Sequence, residues 1–155
     1  MFETIAWATD GSELADSALE YVRKLAEIHG SRIVAVHADE LLTGRSGGAP
    51  VLADEPDIRD KLRVQVEELR SAGFDARLEI RSGSDDVAKL IEHVAADVDA
   101  DLVVVGTHGR SGVSAALLGS VARALCHTSH RPVLVVPPVK PAEPSSDESA
   151  RLTPA

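Results

Sequence analysis

The chain has 155 residues, of which 44% are hydrophobic and only 3% aromatic. That length makes about one domain with a core of respectable size, and the apolar content excludes a disordered chain. A net charge of −9, from 25 Asp and Glu against 16 Lys and Arg, argues against a general nucleic-acid binder, whose affinity rests on basic residues meeting phosphates.

A first strand is expected over 4–9, where Ile5, Ala6 and Trp7 are apolar and Trp7 is assigned to the core. It ends at Asp10-Gly11-Ser12, a turn and helix-start signal. Ala15, Ala18, Leu19, Val22, Leu25 and Ala26 then recur at helical spacing, and Gly30 stops that helix. The run 32–38 reads as the second strand. Residues 39–57 hold three glycines, two prolines, five acids and one base, and read as a solvated connection, a lid or a partner surface. Ile58, Leu62, Val66 and Leu69 form the face of a second helix ended by Gly73. The alternating run 75–81 predicts a half-exposed edge strand, and Ser84-Asp85-Asp86 opens a third helix carrying Val87, Leu90, Ile91, Val94 and Ala95. The near-continuous apolar run 101–106 predicts a strand covered on both faces. Leu118, Val121, Ala122 and Leu125 make a fourth helix, and a last short strand spans 132–137 between prolines. The sequence beyond Pro138 is rich in Pro, Ser and charge, so 1–138 reads as the domain and 139–155 as a disordered tail.

Alternating β and α elements predict an α/β fold: a single open five-stranded parallel sheet with helices on both faces. Strand order 3-2-1-4-5 puts the apolar strands inside and keeps every crossover right-handed. The chain then reverses direction between strands 1 and 4, where ligands bind outside the carboxyl ends of the strands. The segments after Thr9 and after Val105 therefore matter most.

After the fourth strand the glycines fall as Gly106, two residues, Gly109, nine residues, then Gly119-Ser120. Glycine lets a backbone approach a phosphate, and a helix starting near Gly119 would aim free N–H groups at an anion. Ser120, His108 and Arg110 add donors or charge. The spacing suits a phosphate-binding loop or a tight strand-to-helix connection. Asp10 likewise suits a ligand contact or a cap on the helix that follows.

The glycine pattern, with the flanks IAWATDGSELADSALEYV, LVVVGTHGRSG and RPVLVVP, resembles the universal stress protein family over residues 2–137. The resemblance implies a Rossmann-like fold of the adenine nucleotide alpha hydrolase type and membership of the subgroup that binds ATP, with Mg2+ accompanying it. It sets Ala8, Thr9 and Ala38 beside the adenine, Thr9 through its backbone. It gives Asp10 to the ribose hydroxyls or to a metal-bridged phosphate, and Val105 and Gly106 to the floor of the site. Gly109, Gly119, Ser120 and Val121 would face ribose and phosphates, with His108 and Arg110, from the reading of the loop itself, as the added donors. It also implies a homodimer through the last strand, Val133–Val136, and a regulator of stress response acting on an unknown protein client. An enzyme of slow ATP hydrolysis or self-phosphorylation, and an interaction module holding cyclic AMP or no nucleotide, are the alternatives.

No G-x-x-x-x-G-K-[ST] loop, no G-x-G-x-x-G after the first strand and no G-x-S-x-G elbow is present. The histidines show no metal-binding spacing. The single cysteine, Cys126, excludes a disulfide framework and is expected to be a buried, inert thiol. No apolar run approaches the roughly 18–20 residues of a membrane helix, and the opening residues lack a signal-peptide pattern, so a cytoplasmic protein is expected.

Overall fold

The computed structural model describes residues 1–40, 55–109 and 118–138. The elements in chain order are β1 (Thr4–Ala8), α1 (Glu13–His29), β2 (Arg32–Glu40), α2 (Glu55–Ser71), β3 (Ala76–Gly83), α3 (Val87–Asp97), β4 (Leu102–Gly106), α4 (Ser120–Thr128) and β5 (Val133–Val136). The strands form one sheet in the order β3-β2-β1-β4-β5, parallel throughout. This is the architecture expected from the alternation of elements.

Side chains on successive strand residues divide the core in two. Ala6, Ala8, Val34, Val36, Val103 and Val105 pack with α3 and α4 on one face. Ile5, Trp7, Ile33, Ala35, Leu102 and Val104 pack with α1 and α2 on the other. Trp7 is fully buried, as expected of a central strand. The small residues Ala15, Ala18 and Ala26 on the buried face of α1 let that helix lie close to the sheet.

The helix ends follow local chemistry. Ser12 caps α1 in an extended conformation, its hydroxyl accepting from the Ala15 N–H at 3.2 Å. Gly30 closes α1 at φ 68°, a left-handed geometry that suits glycine. Asp86 caps α3 in the same way as Ser12 caps α1. At the opposite end of the sheet, Asp101 ties β1 to β4 by accepting from the amides of Glu3 (2.7 Å) and Thr4 (2.9 Å). The Thr4 bond, then the Glu3 bond, holds the Asp101 carboxyl below its ordinary range.

Three expectations need correction. First, β2 runs to Glu40 and α2 begins at Glu55, so both ends of the presumed 39–57 connection are regular structure. Asp39 is not solvated but 4% exposed, because β2 continues into the sheet and Asp39 finds charged partners there. Second, β3 extends to Gly83 because its pairing with β2 continues to Glu40↔Gly83. Third, Cys126 is exposed. Helix α4 turns only Ala122 and Leu125 fully inward, and position 126 falls beyond that narrow stripe. The central part of the 39–57 connection and the tail 139–155 lie outside the described residues.

Candidate functional site

The chain reverses between β1 and β4, which pair with Ala8 opposite Val105. Beyond that pair β1 runs into Thr9-Asp10-Gly11 and β4 into Gly106-Thr107-His108-Gly109, so both turns stand at the same end of the sheet. Gly11, at φ 75°, makes the first turn, and its N–H is held by Thr9 Oγ1 at 3.1 Å. The Asp10 carboxylate then folds over that turn, Oδ1 accepting from the Ser12 amide (3.0 Å) and hydroxyl (2.6 Å). Asp10 thus orients the residue that caps α1, which is a structural duty on top of any ligand contact.

The glycines after β4 stand where backbones touch. A Cβ at Gly106 would meet the Leu14 carbonyl oxygen at 3.3 Å and the Ala15 Cα at 3.5 Å, so glycine there lets α1 pack on the end of β4. A Cβ at Gly109 would run into Asp10 Oδ2, which sets the two turns side by side. A Cβ at Gly119 would lie 2.8 Å from the Thr107 carbonyl oxygen, which accepts the Gly119 N–H at 2.8 Å. The loop leaving β4 and the start of α4 are therefore pinned together through Thr107. Its own N–H reaches Val136 O at 2.9 Å.

Helix α4 starts differently from α1 and α3. Its N-cap is Gly119, with no side-chain cap bond and no acid in the first turn. The first amide to find an acceptor within the helix is Arg123, bonded to Gly119 O at 3.0 Å. The amides of Ser120, Val121 and Ala122 precede it at the positive end of the helix dipole. Ser120 is exposed at that end, and Val121 packs partly against the α3–α4 core. His108 Nδ1 lies 3.0 Å from Thr107 Oγ1, and its buried Nε2 has no hydrogen-bond partner among the described residues.

Ala38 lies two residues past Val36, the partner of Ala8 in the sheet, and turns toward the α3 side. Thr9 is 6% exposed; its N–H donates to Val36 O at 2.9 Å and its carbonyl meets His37 Nδ1 at 3.0 Å. Its amide is thus already committed to β2. Arg110 lies outside the described residues. Among the described residues no group of three or more His, Cys, Asp or Glu could hold a metal ion. No described helix is long and apolar enough to cross a membrane.

Sequence reasoning missed His37, Asp39, Arg59 and Lys61 as neighbours of the first turn. Lys61 Nζ donates to Gly11 O at 2.7 Å and to Asp16 Oδ2 at 2.6 Å, fastening the turn to α2. Only the sheet and the packing of α2 bring these distant residues to it. A groove of about 860 Å³ between α1 and the start of β3, lined by Arg23, Gly30, Phe74 and Asp75 among others, lies away from the converging turns.

The chain matches the model of the universal stress protein family over residues 1–137. It is 28% identical to universal stress protein MJ0577 of Methanocaldococcus jannaschii, over 88% of this chain and 95% of that protein. The solved structure of MJ0577 superposes with a TM-score of 0.69 at 27% identity, over 91% of this chain and 99% of that one. A universal stress protein of Thermus aquaticus is 30% identical over 88% of this chain and 99% of its own length. A structure described as a universal stress protein in complex with cAMP matches with a TM-score of 0.62 at 26% identity, over 87% of this chain and 96% of that one. With the strand order, the paired turns and these matches in agreement, the chain belongs to the universal stress protein family.

Proposed function

We propose that this chain binds an adenine nucleotide, ATP by preference, across the carboxyl ends of β1 and β4, and that it works as a dimeric nucleotide-dependent regulator. The observation that carries the reading is the bare amino end of α4, where successive amides and the helix dipole meet a glycine-lined approach from Gly106 and Gly109. The cAMP complex of a relative supports adenine, ribose and phosphate as the ligand chemistry. The phosphates meet Gly119, Ser120 and Val121, with His108 and Arg110 alongside. The base lies by Ala8, Thr9 and Ala38, above Val105. Asp10 is the residue that would hold a Mg2+ accompanying the nucleotide, whose charge would offset that of the phosphates. Asp10 otherwise serves the ribose hydroxyls. Slow hydrolysis is the second reading, with Asp10 as a candidate general base.

The test is to denature freshly purified protein and count the released nucleotide by chromatography and mass spectrometry. ATP near one per chain is the expected result. ADP alone favours the hydrolytic reading. An empty protein that also fails to take up ATP or cAMP in a titration overturns the proposal.

A further inference from the structure

The pairing of β1 with β2 ends at Ala8↔Val36, while β2 and β3 stay paired to Glu40↔Gly83. Strand β1 therefore leaves the sheet at Thr9, on the threshold of the candidate site. Where it leaves, a side chain takes over from the backbone ladder. The His37 ring is 1% exposed, on the α1–α2 side of β2, and its Nδ1 is 3.0 Å from the Thr9 carbonyl oxygen. A carbonyl can only accept, so Nδ1 carries a proton. Across the ring, Nε2 lies 3.1 Å from Asp39 Oδ1. A carboxylate likewise only accepts, so this contact holds the ring when Nε2 carries a proton as well. Asp39 Oδ2 lies 3.3 Å from Arg59 Nη2 on α2. Asp39 is 4% exposed, and Arg59 reaches solvent.

We propose that His37 is a positioning residue of the nucleotide site, holding the Thr9–Asp10 peptide through its Nδ1–H while Asp39 and Arg59 hold the ring. The inference rests on the adenine-nucleotide reading. Its physical basis is the planarity of the peptide: the direction of the Thr9 carbonyl also sets the Asp10 N–H and Cα. Asp10 in turn stands with Oδ2 against Gly109 and Oδ1 on Ser12. Rotation of that one peptide carries the carboxylate off the line between the two turns. A ring locked from behind removes that freedom before the ligand arrives, which lowers the ordering cost of binding.

Two amide substitutions separate the two ring nitrogens. His37→Asn places an amide N–H where Nδ1 stands and nothing near Asp39. His37→Gln reaches toward Asp39 and leaves the Thr9 carbonyl unmet. Calorimetric titration with ATP and Mg2+, beside thermal melts, should show His37→Gln weakening binding about tenfold, the scale of one lost hydrogen bond. His37→Asn should stay within about threefold of the parent while melting lower, because Asp39 loses a buried partner. Asp39→Ala, which removes the carboxylate behind the ring, should weaken binding about threefold. Equal losses in the two His37 variants, or affinity that follows melting temperature in both, overturn the proposal. If His37→Gln does not fold, unchanged affinity in Asp39→Ala overturns it. If the parent protein takes up no ATP, ADP, AMP or cAMP, the nucleotide reading fails and the positioning role is judged on amide resonances. Those of Asp10, Gly11 and Ser12 should shift in His37→Gln and stay in His37→Asn, and the same shifts in both variants overturn it.

Discussion

Gly109 and Gly119 are required by their neighbours before any ligand is considered. Gly119 sits at an ordinary negative φ, so its need for glycine comes from the Thr107 carbonyl oxygen, 2.8 Å from where a Cβ would stand. Gly119→Glu would therefore disturb packing and binding together. Ser120→Glu is the cleaner variant. Its side chain is exposed, and a carboxylate in a first turn that has no acid favours the helix dipole while repelling phosphate. The expected outcome is a melting temperature at or above the parent's with ATP affinity down at least about tenfold, read by calorimetry. Retained affinity would remove α4 from the site. Asp101 gives a separate pH prediction. Its folded pKa lies below the unfolded one, so the stability it contributes is present above about pH 4 and lost as pH falls through the folded value. Asp101→Asn should melt below the parent at neutral pH, and the two should converge in acid.

At the scale of elements, caps decide where helices begin and what their amino ends can hold. Helices α1 and α3 fill theirs with Ser12 and Asp86, whereas α4 leaves its end to a glycine. Strand β5 is the other element with an unsettled face. It lies at the sheet edge, half-buried over three of its four residues. The bonds of Val103 to Pro132 O and of Thr107 to Val136 O show that even-numbered residues face β4. By the two-residue period of a strand, the N–H groups of Val133 and Val135 point outward. The proposed dimer pairs that edge with a second copy. Val135→Pro removes one outward donor without touching the β4 ladder. Light scattering should show the dimer giving way to monomer with little change in melting temperature. A parent protein that is already monomeric would end the dimer proposal.

At the scale of the molecule, two apolar clusters on either side of one sheet make a frame beneath the two turns. Ile5, Trp7, Val34, Val36, Val103 and Val104 are all fully buried in it. The pairing of β1 with β4 ends at Ala8 and Val105, so the place where the two turns meet is a consequence of strand order and not of any one loop. The frame is complete by β5, and the family match ends at residue 137. Truncation after Pro138 should leave the unfolding midpoint in denaturant unchanged, and a fall in that midpoint would give the tail a place in the fold.

The alternation of apolar runs with helical stripes, read along 155 residues, determined element type, strand order and the end of the sheet where the turns converge. Those features are legible because periodicity, caps and crossover handedness are local or nearly so. The glycine spacing marked the β4–α4 segment, but packing decided what the glycines do: Gly106 meets α1, Gly109 meets Asp10 and Gly119 meets Thr107. Cys126 looked buried because one helical stripe says nothing about how wide a face the neighbouring elements cover. Asp39 looked like part of a solvated acidic run, and His37 like one more residue of a strand. Only the tertiary structure brought them to Thr9 and Arg59, 28 and 20 residues away in sequence, because hydrogen bonds and ion pairs across such separations are set by register and helix packing, which composition and periodicity leave undetermined.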